Sequence, residues 1–111
     1  MAVPDQGDLV WVDFNPQAGH EQSGRRPALV LSPKAYHEKT NYAVVCPITS
    51  TVKGYPFETT LPTGLVISGA VLADQVKSID RNVRNLEIAD RAPPDILSDV
   101  LSKISALLDL S

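Results

Sequence analysis

Cysteine and aromatic residues are both scarce in this sequence of 111 residues. Cys46 is the only cysteine, so an intramolecular disulfide and zinc sites built on several cysteines are excluded. It stands in an apolar run, where we expect a small buried strand residue. Because aromatic residues make up only 5% of the chain, the core must consist mainly of Val, Leu, Ile and Ala.

Long apolar runs are also missing. No run approaches the roughly 20 residues that a transmembrane helix requires. The first residues contain no basic segment followed by an apolar one, so a secretory signal is not expected. The chain is 43% hydrophobic and 21% charged, as is usual for soluble globular proteins. We therefore expect a cytoplasmic protein with one domain over residues 1–111.

The motifs of several hydrolase classes are absent. His20 and His37 stand apart in polar segments, and no pair of histidines or aspartates has the spacing of metal ligands. There is no GxSxG elbow and no glycine-rich phosphate loop followed by a helix. The sequence therefore predicts an activity without a metal ion or cofactor.

Charge is distributed unevenly along the chain, whose formal net charge is −3. Residues 15–85 carry eight basic and five acidic side chains, whereas residues 86–111 carry two basic and five acidic ones. A locally basic face on an acidic protein is compatible with phosphate binding.

Short apolar segments between turn residues predict a small β structure. The chain has nine prolines and six glycines, most of them in the first 70 residues. Strands are predicted at residues 9–14, 27–32, 42–49 and 57–61, at residues 70–73 and 75–79 as one strand or two, and at residues 85–88. Pro47 should confine the late part of its strand to an edge or a bulge.

The last segment predicts a helix. Pro93, Pro94 and Asp95 suit its first turn, and apolar residues recur at helical spacing from Ile96 to Leu108. Five or six strands followed by one terminal helix indicate a mainly β fold of α+β character.

Two polar segments carry reactive side chains. Residues 19–27, in the predicted loop 15–26, contain one acid, one histidine and two arginines, and Arg26 directly precedes a proline and an apolar strand. The hydroxyls of residues 49–51, near Lys53, are suited to bind a phosphate. Tyr55 and Phe57 are candidates for stacking on bases or for the core, and a buried Asp74 would need hydrogen-bond partners.

Four segments, taken in this order, resemble the MazF family of toxins (PemK- or Kid-like). They are GDLVWVDFNP at residues 7–16, EQSGRRPALVLS at 21–32, PITS through KGYPF at 47–57, and ADQVKSI at 73–79. The resemblance implies an SH3-like small β-barrel with a C-terminal α-helix. It also implies a homodimer that cuts single-stranded mRNA at a short sequence without a metal, leaving a 2′,3′-cyclic phosphate and a 5′-hydroxyl.

The resemblance also implies site residues. The family's catalytic arginine and threonine correspond to Arg26 and Thr49, and its loop acid to Glu21. Because an arginine does not give up its proton near neutral pH, we expect Arg26 to stabilise the transition state. Glu21 or the substrate environment would then remove the 2′-hydroxyl proton.

RNA contacts are expected from the loops 15–25 and 50–56 and from the floor between them. The candidates are Phe14, Asn15, His20, Gln22, Arg25, Ser50, Lys53, Tyr55, Phe57, Gln75 and Lys77. The expected partner is a MazE-like antitoxin whose acidic, partly disordered tail fills the same groove.

Two alternatives share the expected barrel. A CcdB-like toxin binds DNA gyrase and cuts nothing, and a catalytically silent barrel would bind RNA or act as a regulator. The set Glu21, Arg26 and Thr49 favours the nuclease.

Overall fold

The computed structural model describes residues 2–14 and 24–110. Within them the chain forms seven strands and two helices. The elements are β1 (Asp8–Asp13), β2 (Arg25–Val30), α1 (Lys34–Lys39), β3 (Tyr42–Thr49), β4 (Glu58–Thr60), β5 (Ala70–Leu72), β6 (Lys77–Asp80), β7 (Glu87–Arg91) and α2 (Pro94–Leu107).

The strands pair antiparallel in the order β4-β5-β3-β2-β1-β7, and β6 pairs with β3 beside β5. The mainly β fold with a terminal helix is therefore confirmed. The predicted barrel is matched only loosely, because the described strands form an open path and β4 does not pair with β7.

Strand β3 changes its partner at a proline. Its first half pairs with β6, and Ile48 and Thr49 pair with β5. The Leu31 N–H donates to Val44 O, so these two residues form a hydrogen-bonded pair of the ladder between β2 and β3. Such pairs alternate along an antiparallel ladder, so Pro47, which lies opposite Ala28, belongs to a non-hydrogen-bonded pair. Its nitrogen therefore points away from β2, towards the place where β6 has ended and β5 begins. The missing N–H of Pro47 thus costs no ladder hydrogen bond, which explains the strand's tolerance of proline.

Two apolar layers lie on the two faces of the sheet, as the alternation of side chains along each strand requires. One layer contains Leu29, Cys46 and Ile48 and is covered by Ile96 and Val100 of α2. The other contains Val12, Ala28, Val30, Ala43, Val45 and Ile79. Burying each large aliphatic side chain contributes roughly 1.5–3 kcal/mol, which makes these layers the main source of stability.

Two polar residues of α2, Asp99 and Lys103, form hydrogen bonds with β4. Lys103 Nζ lies 2.9 Å from Asp99 Oδ2 and donates to Thr59 Oγ1 at 3.0 Å and to Glu58 O at 2.8 Å. Thr59 Oγ1 donates to Asp99 Oδ2 at 2.7 Å. Helix and edge strand are therefore held by hydrogen bonds as well as by apolar contact.

Several element boundaries differ from the prediction. Strand β2 begins at Arg25, two residues before the predicted start, because Arg25 and Arg26 pair with Asp13 and Val12. The segment predicted as one strand or two is two, and β7 extends to Arg91. Strand β3 has the predicted bounds.

The prediction that His37 stands alone in a polar loop is wrong, because this residue lies in helix α1. It is 2% exposed, and its ring nitrogens lie 2.7 Å from Pro4 O and 2.7 Å from Ser32 Oγ. Because a carbonyl can only accept, Nδ1 carries the proton that bonds Pro4. His37 therefore fastens the N-terminal segment to the sheet.

In residues 2–14 and 24–110, no helix combines the length and apolar character that crossing a membrane requires. The same residues contain no group of three or more His, Cys, Asp or Glu side chains arranged to hold a metal ion.

Candidate functional site

The sheet register sets Arg26 and Thr49 at the same end of one face. The pairs Leu29–Cys46 and Ala28–Pro47 define the ladder between β2 and β3. Continued by two residues, this register would set Arg26 opposite Thr49 as a non-hydrogen-bonded pair, the kind in which side chains lie closest. Both residues alternate onto the face opposite α2, Arg26 exposed and Thr49 half-buried.

Phe14 and Lys77 lie on the same face. Phe14 follows β1 and packs against the apolar layer that contains Val12 and Val45. Lys77 pairs with Val45 across β3 and β6, and its Nζ lies 5.5 Å from the centroid of the Phe14 ring. A cation near an aromatic face at this distance is favourable. The exposed ammonium of Lys77 thus adds positive charge to the face that carries Arg26.

Beside Thr49 the surface opens into a cleft of about 240 Å³. It lies on the side of β4 and β5 that faces away from α2. Its lining residues are Thr49, Thr51, Lys53, Tyr55, Glu58, Leu72, Asp74 and Gln75. The cleft therefore contains four of the predicted site residues, namely Thr49, Lys53, Tyr55 and Gln75.

The hydroxyl of Thr49 has a defined orientation. Its Oγ1 accepts the N–H of Thr51 at 3.1 Å, which leaves the hydroxyl proton available for donation to a bound group. The main chain of Thr49 lies against Gly69, where a Cβ would collide with Thr49 O. Gly69 also has φ of +123°, a conformation that residues with a side chain rarely adopt. The backbone at Thr49 is therefore held closely against the segment that leads into β5.

The loop that carries Lys53 and Tyr55 is closed by the carboxylate of Glu58. Oε1 of Glu58 accepts the N–H groups of Lys53 at 3.0 Å, Gly54 at 2.9 Å and Tyr55 at 3.4 Å. The rings of Tyr55 and Phe57 lie 6.4 Å apart between centroids. Phe57 is half-buried and Tyr55 is 50% exposed, so Tyr55 is the ring that a base can reach.

Asp74 brings a carboxylate into the floor of the cleft. Tyr55 Oη lies 3.5 Å from Asp74 Oδ2, and Oδ1 is buried with no hydrogen-bond partner among the described residues. Burial, together with the negative charge of Asp74, raises the pKa of the Cys46 thiol to about 12. Cys46 therefore stays a protonated core residue and takes no part in chemistry.

Arg25 lies away from this cluster. Its guanidinium contacts Asp13 Oδ1 at 3.0 Å and Glu87 Oε1 at 3.4 Å, and it donates to Asn85 O at 2.6 Å. Neighbouring residues of a strand face opposite ways, so Arg25 and Arg26 point to different sides of the sheet. The structure therefore does not group the predicted RNA contact Arg25 with Arg26 and Thr49.

The remaining predicted residues fall into two sets. Ser50 is exposed directly after Thr49. Four predicted residues lie outside the described ranges: Asn15, His20, Glu21 and Gln22.

Sequence reasoning missed Glu58 as a site residue and named Asp74 only as a buried acid in need of partners. A single glutamate after an aromatic residue has no distinctive spacing. The one available signal was the glycine at position 54, which allows three consecutive N–H groups to converge.

Comparison with protein families gives one match over nearly the whole chain. Residues 5–108 match the model of the PemK-like, MazF-like toxins of type II toxin–antitoxin systems.

Curated relatives and solved structures give the same result. The endoribonuclease toxin MazF of Escherichia coli K12 is 47% identical over 106 residues, which cover 96% of this chain and 95% of that protein. The endoribonuclease PemK of Escherichia coli is 34% identical over 108 residues, 94% of this chain and 81% of that protein. The MazE–MazF complex of Deinococcus radiodurans contains a chain that is 55% identical, with a TM-score of 0.94 and 100% of both chains covered.

Proposed function

Because the chain belongs to the PemK-like, MazF-like family of type II toxin–antitoxin toxins, we propose that it is a sequence-specific, metal-independent endoribonuclease of single-stranded mRNA. The proposed toxin domain spans residues 1–111. One observation carries the mechanism: Arg26 and Thr49 occupy the same end of one sheet face, beside an open cleft.

The chain is an endoribonuclease toxin, since endoribonuclease is the activity named for the relatives that it matches over nearly their whole length. The finer steps follow from the residue types. The 2′-oxygen of the ribose attacks phosphorus, the bond from phosphorus to O5′ breaks, and a 2′,3′-cyclic phosphate and a 5′-hydroxyl result. Negative charge grows on the non-bridging oxygens as the 2′-oxygen attacks.

Arg26 and Thr49 suit that charge. A guanidinium presents planar N–H donors that match phosphate oxygens, and it is charged at any physiological pH. The Thr49 hydroxyl, whose oxygen accepts the Thr51 N–H, directs its proton to another oxygen of the same phosphate. A donor fixed before the reaction, as the Thr49 hydroxyl is, stabilises the transition state without reorganisation.

Proton transfer needs a further group. We assign removal of the 2′-hydroxyl proton to Glu21 or to the substrate's own surroundings, and O5′ takes up a proton as it leaves. Base recognition falls to the cleft and the residues around it, through Tyr55, Lys53, Gln75 and Lys77, with Phe14, Ser50 and the side chains of the loop 15–25.

Two partners complete the proposal. One is a MazE-like antitoxin with an acidic tail in the RNA groove, which the complex of the Deinococcus radiodurans protein supports. The other is a second copy of this chain. Exposed apolar side chains at the end of α2, among them Leu107, Leu108 and Leu110, support a homodimer.

The deciding experiment uses the purified protein, a long single-stranded RNA and EDTA. Discrete cuts, with 2′,3′-cyclic phosphate on the upstream fragments, are expected. A 2′-deoxy substitution at the cleaved nucleotide should abolish cutting there, because the nucleophile is gone. An absence of cuts in EDTA that added metal restores would refute the metal-independent mechanism.

The comparisons give no support to a CcdB-like gyrase-binding toxin. The same preparation tested against DNA gyrase should leave supercoiling unaffected.

A further inference from the structure

The loop between β3 and β4 is organised around one carboxylate. The N–H groups of Lys53, Gly54 and Tyr55, three consecutive residues, all point at Glu58 Oε1, and the Lys53 N–H also lies 3.3 Å from Oε2. Converging main-chain N–H groups form a nest that binds anions. Here the chain supplies the anion itself, four residues after the centre of the nest.

The nest depends on Gly54. Its φ of +75° lies in the left-handed region, where a residue with a side chain is strained. No atom lies within 4 Å of a Cβ built there, so the requirement concerns conformation and not space.

Glu58 is itself fixed from three directions. Its N–H donates to Tyr55 O at 3.0 Å, and it pairs with Leu72 of β5. Its carbonyl accepts Lys103 Nζ from α2 at 2.8 Å. The carboxylate therefore ties the loop to a strand that both the sheet and the helix hold in place.

The same loop supplies the walls of the cleft. Lys53 and Tyr55 line it together with Thr49, and Glu58 lies between them and Leu72. Their side chains start from main-chain atoms that the carboxylate holds. A loop ordered before binding does not lose conformational entropy when RNA binds.

We propose that Glu58 is a positioning residue that sets the RNA sequence selected by the toxin, because its carboxylate holds Lys53 and Tyr55 in the conformation that meets the bases. This role rests on the proposed endoribonuclease function. Glu58 does not touch the reacting phosphate, and the chemistry belongs to Arg26 and Thr49.

The test compares Glu58→Ala and Glu58→Gln with the unaltered protein. We would map all cuts in one long RNA, then measure kcat and KM on an oligonucleotide that carries the mapped site. For Glu58→Ala, kcat/KM on the mapped site should fall roughly tenfold or more, mainly through a higher KM, and cuts should appear at additional sequences, since a displacement of about 1 Å can lower a rate by up to about 100-fold. Glu58→Gln retains an acceptor oxygen and should give a smaller change in the same direction.

Two further variants make the test specific. Glu38→Ala removes an exposed glutamate of α1 and should leave KM and the cut positions unchanged. Gly54→Ala strains the nest while Glu58 remains, and it should broaden the cut positions as Glu58→Ala does. If Glu58→Ala does not fold, Glu58→Gln and Gly54→Ala decide the outcome.

Two failures can be told apart. No cutting by the unaltered protein refutes the proposed function. Normal cutting by that protein, with unchanged KM and unchanged cut positions in the Glu58 and Gly54 variants, refutes the role of Glu58 alone, even if their melting temperatures fall.

Discussion

Arg25 and Arg26 are neighbours in β2 and have opposite surroundings. Arg25 is bonded to Asp13, Glu87 and main-chain carbonyls. Arg26 is exposed, and the ion pairs found among residues 2–14 and 24–110 do not include it. Two identical side chains are thus directed to different faces of the sheet by the two-residue repeat of a strand.

The difference teaches how the protein separates stability from activity. A guanidinium whose donors are already bonded holds strands together and has few donors left for RNA. A guanidinium that projects from the same strand into solvent keeps its donors for a phosphate. Four predictions test this separation, beginning with the largest expected effect.

Arg26→Ala should lower kcat for RNA cleavage by roughly 100- to 1000-fold, because a fixed donor to the transition state is lost. Arg26→Lys should recover only part of the rate, since an ammonium does not match two phosphate oxygens. The measurement is single-turnover cleavage of an RNA oligonucleotide. Thr49→Ala is expected to fall in the same range, and near-normal rates for all three variants would end the assignment.

Arg25→Ala should act on stability instead. The ion pairs are partly exposed, with 36% of the Arg25 side chain accessible, so we expect a loss of about 1 kcal/mol in the free energy of unfolding. Urea denaturation measures it, and the cleavage rate should change by only a few-fold. A loss of cutting equal to that of Arg26→Ala, at unchanged stability, would instead support the predicted role of Arg25 in RNA binding.

Asp99 of α2 is, like Arg25, a charged group whose hydrogen-bond partners belong to the protein itself. Hydrogen bonds from Thr59, and then from Lys103, lower the pKa of its carboxyl. A lowered pKa in the folded state means that this stabilisation is present above about pH 4 and is lost as the pH falls through the folded pKa. Asp99→Asn should therefore reduce the acid dependence of the melting temperature below about pH 4 and leave cleavage at neutral pH unchanged. An identical acid profile for the variant would contradict this coupling.

Cys46 should show the smallest effect. Burial raises the pKa of its thiol to about 12, so the reactive thiolate is almost absent at pH 8. Iodoacetamide should label the thiol slowly in the folded protein and rapidly in urea, as followed by mass spectrometry. Fast labelling in the folded state would show that the apolar layer covered by α2 opens.

Much of the fold can be predicted from local patterns in the sequence. Strand β3 has its predicted bounds because its apolar residues are continuous and flanked by turn residues. The start of β2 was misplaced because Arg25 and Arg26 look like loop residues, whereas their pairing with β1 is a long-range contact. His37 was misjudged for the same reason, since its partners Pro4 and Ser32 belong to other segments.

Some residues of the candidate site could likewise be predicted from the sequence, and others could not. The resemblance to a family singled out Arg26 and Thr49, and the register of β2 and β3 supports their proximity. Glu58 was missed because its partners are main-chain N–H groups, whose only sign in the sequence is the glycine at position 54.

Substitution of Gly69 should affect the activity of the toxin although this residue has no side chain. Its lack of a side chain is what lets the main chain directly before β5 run against the carbonyl of Thr49. Alanine at position 69 would displace the end of β3 that presents the Thr49 hydroxyl. Toxicity would then be lost by a change at a position that has no side chain to contact RNA. Selection for loss of toxicity should therefore recover changes at position 69 as readily as at the reacting residues.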